Sequence, residues 1–213
     1  MYGCRRLLWS YTMKINANAQ SRLGKWTAPV PAGKKPLVML DAGPEVGWGV
    51  LRRKLAKHTN DLRQYTHQKL THGRGPDYLG DWQVDAMHCV FLPEQAPADL
   101  LDARRLVERY EADSFDAIKE LACVVKIAIP DPADVVKQWK RIRRFAEYQF
   151  VQRDMACIAI LHQPWRSGVK ADAHVHLIAP ARELGRDGFG AFVRPFATDA
   201  GAAEIYTAWS NWR

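Results

Sequence analysis

The residues best suited to chemistry in this chain are three histidines in its last third. Ala173-His174-Val175-His176-Leu177 reads as a strand. Side chains alternate faces along a strand, so His174 and His176 point the same way, one pleat apart. Two imidazoles so placed can grip one divalent cation. The preceding apolar run, Ala159-Ile160-Leu161-His162, ends on a third imidazole, which joins them if the two strands pair as a hairpin. Three histidines with coordination positions left open make a catalytic rather than a closed structural site. Asp172 and Asp187 are nearby carboxylates that would help hold or orient the ligands. On the residues alone, a zinc hydrolase, a phosphodiesterase with paired histidines and a plain packing role all fit.

The elements around these residues set the fold class. Ala122 to Ile129 is an apolar, β-branched run closed by Pro130, the pattern of a buried strand. A long helix follows, capped by Asp131 or Asp134 with Pro132 in its first turn, and Val135, Trp139, Ile142, Phe145 and Phe150 form its core stripe. Strands are expected at 156–162 and 173–179, and a helical pattern at 202–212. Upstream, 84–92 reads as a strand and 97–120 as one or two helices. From Trp48 to about Leu70, Val50, Leu51, Leu55, Leu62 and Tyr65 recur at three- to four-residue spacing, which predicts a helix. Its basic residues, Arg52, Arg53, Lys54 and Lys57 among them, offer a phosphate-contacting or simply solvated face. Residues 1–47 read as a possible edge strand at 8–15 and a Pro/Gly-rich loop around the apolar segment Leu37 to Leu40. The order predicts an α+β fold: a mainly antiparallel sheet of four or five strands with helices packed on one face, a two-layer sandwich.

Composition narrows the partners. The chain has 213 residues and 31 Lys and Arg against 23 Asp and Glu, a formal net charge of +8. That balance favours polyanions, nucleic acid first. No apolar run approaches the roughly 18 residues of a membrane span, and the first ten residues lack the pattern of a signal peptide. Cys4, Cys89, Cys123 and Cys157 are scattered without a Cys-x-x-Cys pair, which fits reduced thiols in a cytoplasm.

Over roughly residues 84–194 the motifs resemble, in order, the MobA/MobL family of plasmid-mobilisation relaxases, HUH-type endonucleases named for their His-hydrophobic-His strand. The resemblance runs through Met87 to Pro93, Val124 to Pro130, the helix end Phe145 to Phe150, and Ile158 to His162. It continues with His174-Val175-His176, Arg182 and Asp187-Gly188-Phe189-Gly190. It implies a relaxase-like catalytic domain over 48–213, C-terminally truncated, after a poorly matched segment 1–47. The implied activity is strand-specific nicking and strand transfer at a plasmid origin of transfer. A tyrosine attacks the scissile phosphodiester, leaving a 5′-phosphotyrosyl link and a free 3′-hydroxyl.

The resemblance also implies roles for particular residues. The metal, Mg²⁺ or Mn²⁺ with Zn²⁺ as an alternative, is expected on His162, His174 and His176. Tyr65 is the first candidate nucleophile, with Tyr78 and Tyr11 behind it, and its hydroxyl is expected across a basic cleft from the imidazoles. Arg52, Arg53, Lys54, Lys57, Lys140, Arg144 and Arg182 are the expected DNA contacts. Trp82, Trp165 and Phe189 are aromatic candidates for stacking on unpaired bases. The implied partners are single-stranded DNA at the origin and accessory mobilisation proteins. Two departures stand out: where the family carries acidic residues before its strand-ending proline, this chain has Val124 and Lys126, and Asp172-Ala173 replaces the usual Asn-Pro. A catalytically decayed relaxase that only binds DNA and a His-metal phosphodiesterase are the alternatives.

Overall fold

A computed structural model describes residues 35–72 and 80–212. The strand expected at 8–15, and with it Tyr11 and Tyr78, lies outside the described residues. The chain order begins β1 (Leu40–Gly43), β2 (Val46–Arg52), β3 (Lys54–Leu55), β4 (His58–Thr59) and helix α1 (Leu62–Leu70). It continues with β5 (Met87–Phe91), a 3₁₀ turn (Ala98–Leu101), α2 (Ala103–Ala112), β6 (Glu120–Ile129) and a second 3₁₀ turn (Pro132–Asp134). Then come α3 (Val135–Ala146), which runs into a π-helical turn (Glu147–Val151), and β7 (Cys157–His162). After a 3₁₀ turn (Pro164–Ser167) follow β8 (Ala173–Pro180), β9 (Arg182–Gly185), β10 (Gly188–Phe192) and α4 (Gly201–Asn211).

Six strands form one sheet in the order β1-β2-β6-β8-β7-β5, every neighbouring pair antiparallel. The α+β class and the antiparallel sheet are as expected, but among the described residues this sheet has six strands rather than four or five. Helices cover both faces rather than one. Val125, Ile127, Val175, Leu177 and Leu161 pack with Val135, Trp139, Ile142 and Phe145 of α3 and with Ile205 and Trp209 of α4. Val124, Ile158, Ile160 and Ile178 point the other way, into a second core with Leu62, Tyr65 and Leu70 of α1 and Leu106, Val107 and Tyr110 of α2. Each large side chain buried this way contributes about 1.5–3 kcal/mol. The central strands β6 and β8 are therefore apolar on both faces, as a doubly covered sheet requires.

The helix expected from Trp48 to Leu70 is the clearest correction. Its first part is strand β2, paired along its length with β6 from Val46 opposite Ile127 to Arg52 opposite Glu120. The β3–β4 hairpin follows, and only residues 62–70 are helical. Asp61 starts that helix, accepting hydrogen bonds from the Arg63 and Gln64 backbone N–H groups at 2.8 and 3.4 Å. β2 also runs across the boundary expected after Gly47. Asp131 caps the turn before α3 through the Ala133 N–H at 2.8 Å, while Asp134 makes no side-chain cap. At the start of α4, Gly201 lies against the Trp48 ring, where a Cβ would overlap the indole. The close approach seats α4 on β2.

Candidate metal centre

Strand register brings the three histidines together. β7 and β8 pair with His162 opposite His174 and Ile160 opposite His176; on the other side β6 sets Ala128 opposite His174 and Lys126 opposite His176. Directly opposed residues share a face, so His162, His174, His176 and Lys126 all lie on the α1–α2 side of the sheet. Those helices cover the half of this face built from Val124, Ile158 and Ile178, and the histidines occupy the other half.

The imidazoles converge. Ring centroids are 5.3 Å apart for His162 and His174, 4.9 Å for His162 and His176, and 5.0 Å for His174 and His176. One nitrogen from each lies within 4.8 Å of the others. His162 donates from Nε2 to the Lys69 carbonyl at 2.7 Å, and His174 donates from Nδ1 to the Asp172 carbonyl at 3.0 Å. Each bond fixes a tautomer whose other nitrogen carries a free lone pair, the support that metal-bound histidines usually have. His176 is 7% exposed, and its buried Nδ1 has no hydrogen-bond partner among the described residues. Such a group costs about 1–3 kcal/mol if left unmet.

All three rings favour the neutral form that a metal needs. Burial pushes His162 down to about 4, against its bond to the Lys69 carbonyl, with His174 and Lys69 lowering it further. Burial also lowers His174, and lowers His176 most, with Lys69 and Lys126 adding to both. Neutral donors, anchored second nitrogens and an unmet buried nitrogen together fit a divalent transition metal held by three histidines better than an oxygen-seeking ion such as Mg²⁺. A fourth imidazole, His72, sits 4.8 Å from the His162 ring.

The other expected residues divide. Asp172 orients His174 through its backbone carbonyl, not its carboxylate. Asp187 stands at the β9–β10 turn, its carbonyl accepting from Arg109. Tyr65 does not face the histidines across an open basic cleft. It is 5% exposed in the second core, and burial raises its phenol well above the ordinary range. It is nevertheless next to the site by sequence and contact: Lys69, one turn later on α1, places its ammonium 5.5 Å from the Tyr65 ring centre and gives its carbonyl to His162.

The expected DNA contacts are not gathered around the triad. Arg53 donates two hydrogen bonds to the Glu111 carboxylate, at 3.1 and 2.7 Å, with Glu111 almost fully buried. Arg182 is buried and donates to the carbonyls of Gly190, Asp113 and Phe189. These two arginines hold the fold, which corrects their assignment to DNA. Arg52 pairs with Asp199 at 3.1 Å. Lys54 and Lys57 are exposed, but Arg52 opposes Glu120, six residues along β6 from Lys126. At about 3.3 Å per residue, that end of the sheet is roughly 20 Å from the triad. Lys140 and Arg144 are exposed on α3, across the sheet from the histidines. Phe189 is core, edge-on to Tyr110 with centroids 4.9 Å apart, whereas Trp165 is 38% exposed in the loop between His162 and His174.

Sequence reading missed Lys69 and Lys126 as site residues. Lys69 follows Tyr65 by four positions, the spacing that shares a helix face. Lys126 alone is exposed in the buried run of β6.

The chain is similar to known proteins in sequence pattern and in fold. The sequence pattern of the MobA/MobL family matches residues 64–210. A solved structure described as the molecular basis of vancomycin resistance transfer in Staphylococcus aureus is similar in fold. Its TM-score is 0.53 at 17% identity, over 70% of this chain and 81% of that one. No curated protein matches the chain. Among the described residues no helix is long and apolar enough to cross a membrane.

Proposed function

The chain belongs to the MobA/MobL family, and from that premise we propose that it is a metal-dependent relaxase that nicks one DNA strand at an origin of transfer. The observation that supports this most is the convergence of His162, His174 and His176 on one face of the sheet. A divalent ion bound there supplies Lewis-acid polarisation of a phosphate oxygen. The three imidazoles would hold that ion, and the Lys69 and Asp172 carbonyls hold two of the imidazoles.

In this reading a tyrosine supplies the nucleophile: Tyr65, buried as it stands, is the candidate among the described residues, and Tyr78 and Tyr11 lie outside them. Among the other described tyrosines, Tyr110 is bonded in the core to the Glu120 carbonyl at 3.1 Å. Tyr148 and Tyr206 follow or lie within helices on the opposite side of the sheet. The phenol oxygen attacks phosphorus and loses its proton. The bond from phosphorus to the 3′ oxygen breaks, and that oxygen gains a proton. A buried phenol is a poor nucleophile, so the reaction requires DNA binding to uncover Tyr65. Exposed cations at Lys54, Lys57, Lys140 and Arg144 add salt-dependent affinity for the flanking DNA.

The test is relaxation of a supercoiled plasmid carrying the cognate origin, in Mg²⁺ or Mn²⁺. The wild type gives open circles and His176→Ala does not. A second reading, DNA binding without nicking, is favoured by the burial of Tyr65 and by Lys126 standing where the family resemblance implies an acid. It predicts the same DNA affinity and no open circles from either protein.

A further inference from the structure

Two lysines, Lys126 and Lys69, stand beside the triad. Lys126 opposes His176 across the β6–β8 pair, so their Cβ atoms are about 5 Å apart. Its other cross-strand neighbour is Gly47, which has no side chain to cover it, and Lys126 is exposed. Lys69 borders the triad from α1, where its carbonyl is bonded to His162. The Asp172 carboxylate also acts on His174, less strongly there than either lysine. The ligand cluster itself has three neutral imidazoles and, among the described residues, no carboxylate.

A divalent ion bound there would meet two ammonium groups with little protein charge to offset them. An anion would meet the opposite condition. We propose that Lys69 and Lys126 make this site a receptor in which metal and phosphodiester bind cooperatively, the phosphate relieving the repulsion between the ion and the two lysines. The proposal rests on the reading that the triad holds the metal and receives a DNA phosphate. Coupling of this kind is reciprocal, so metal tightens DNA binding by the same factor that DNA tightens metal binding. In water-like surroundings one ammonium about 7 Å from a divalent ion changes its affinity by about tenfold.

The test is calorimetric titration of the full chain with Mn²⁺, alone and saturated with a 12-nucleotide oligothymidylate. In the wild type the oligonucleotide tightens Mn²⁺ binding by about tenfold or more. Lys126→Gln, at an exposed position, binds Mn²⁺ about tenfold more tightly than the wild type without DNA, and the oligonucleotide then adds less than threefold. Lys126→Arg keeps the wild-type pattern. Equal Mn²⁺ affinities in the wild type and Lys126→Gln, with equal tightening by DNA, overturn the cooperative site while leaving the metal site in place. Mn²⁺ binding that is absent in the wild type, or undiminished in His176→Ala, contradicts the triad reading and the proposal with it.

Discussion

His162 and Lys69 are joined by a 2.7 Å hydrogen bond from the imidazole Nε2 to the main-chain carbonyl near the end of α1. The bond links the end of strand β7 to the helix that carries Tyr65. It also leaves Nδ1 of His162 as the free donor atom and ties the position of α1 to the geometry of the triad.

Metal binding is therefore expected to stabilise the fold through all three histidines. At a metal concentration of about 100 times Kd, a folded-state ligand adds about 2.7 kcal/mol. Thermal denaturation with and without Mn²⁺ reads this directly. The wild type shifts upward, and His174→Ala and His176→Ala do not. An equal shift in all three proteins places the metal elsewhere.

The metal-free protein loses stability as pH falls. His162 holds its proton only near pH 4 when folded, against an ordinary value of 6.5. Between those values the unfolded chain binds more protons, so acidification favours unfolding. His162 accounts for about 2 kcal/mol at most by pH 5, reduced by its partial exposure. His174 and His176 shift in the same direction and add to it. Urea denaturation at pH 7.5 and 5.0 should show the loss, and His162→Gln should make it smaller. Stability that stays flat over this range is the contrary result.

The cations divide into a structural group and an exposed group proposed to meet DNA. Arg53→Met leaves Glu111 buried without its partner, a loss of about 3–5 kcal/mol. The double variant Lys54→Ala/Lys57→Ala keeps the wild-type unfolding midpoint and lowers the salt dependence of DNA binding by roughly two phosphate contacts. Chemical denaturation and binding isotherms at several salt concentrations distinguish the two groups. A stable Arg53→Met protein with weakened DNA binding reverses the assignment.

The triad was legible because its signal is local: two histidines one pleat apart and a third at the end of the preceding strand. β6, β7 and β8 were legible because their apolar runs are short and bounded by Pro130, His162 and Pro180. β2 was not. It is buried on both faces, so Val50 and Leu51 show no strand alternation, and they line up by chance with Leu55, Leu62 and Tyr65 at helical spacing. Arg53 looked like part of a basic face because Glu111 lies 58 residues away. Helices on both sheet faces were also out of reach, since an apolar stripe on a helix does not state which face it covers.

The most direct measurement of the central claim is a search for a covalent protein–DNA adduct. Purified protein is incubated with Mn²⁺ and a randomised library of single-stranded oligonucleotides, then run on a denaturing gel, beside Tyr65→Phe and His174→Ala. A DNA-linked band in the wild type that both substitutions remove is the predicted result. No band from the wild type, under conditions where it binds both Mn²⁺ and DNA, contradicts a nicking function for this site.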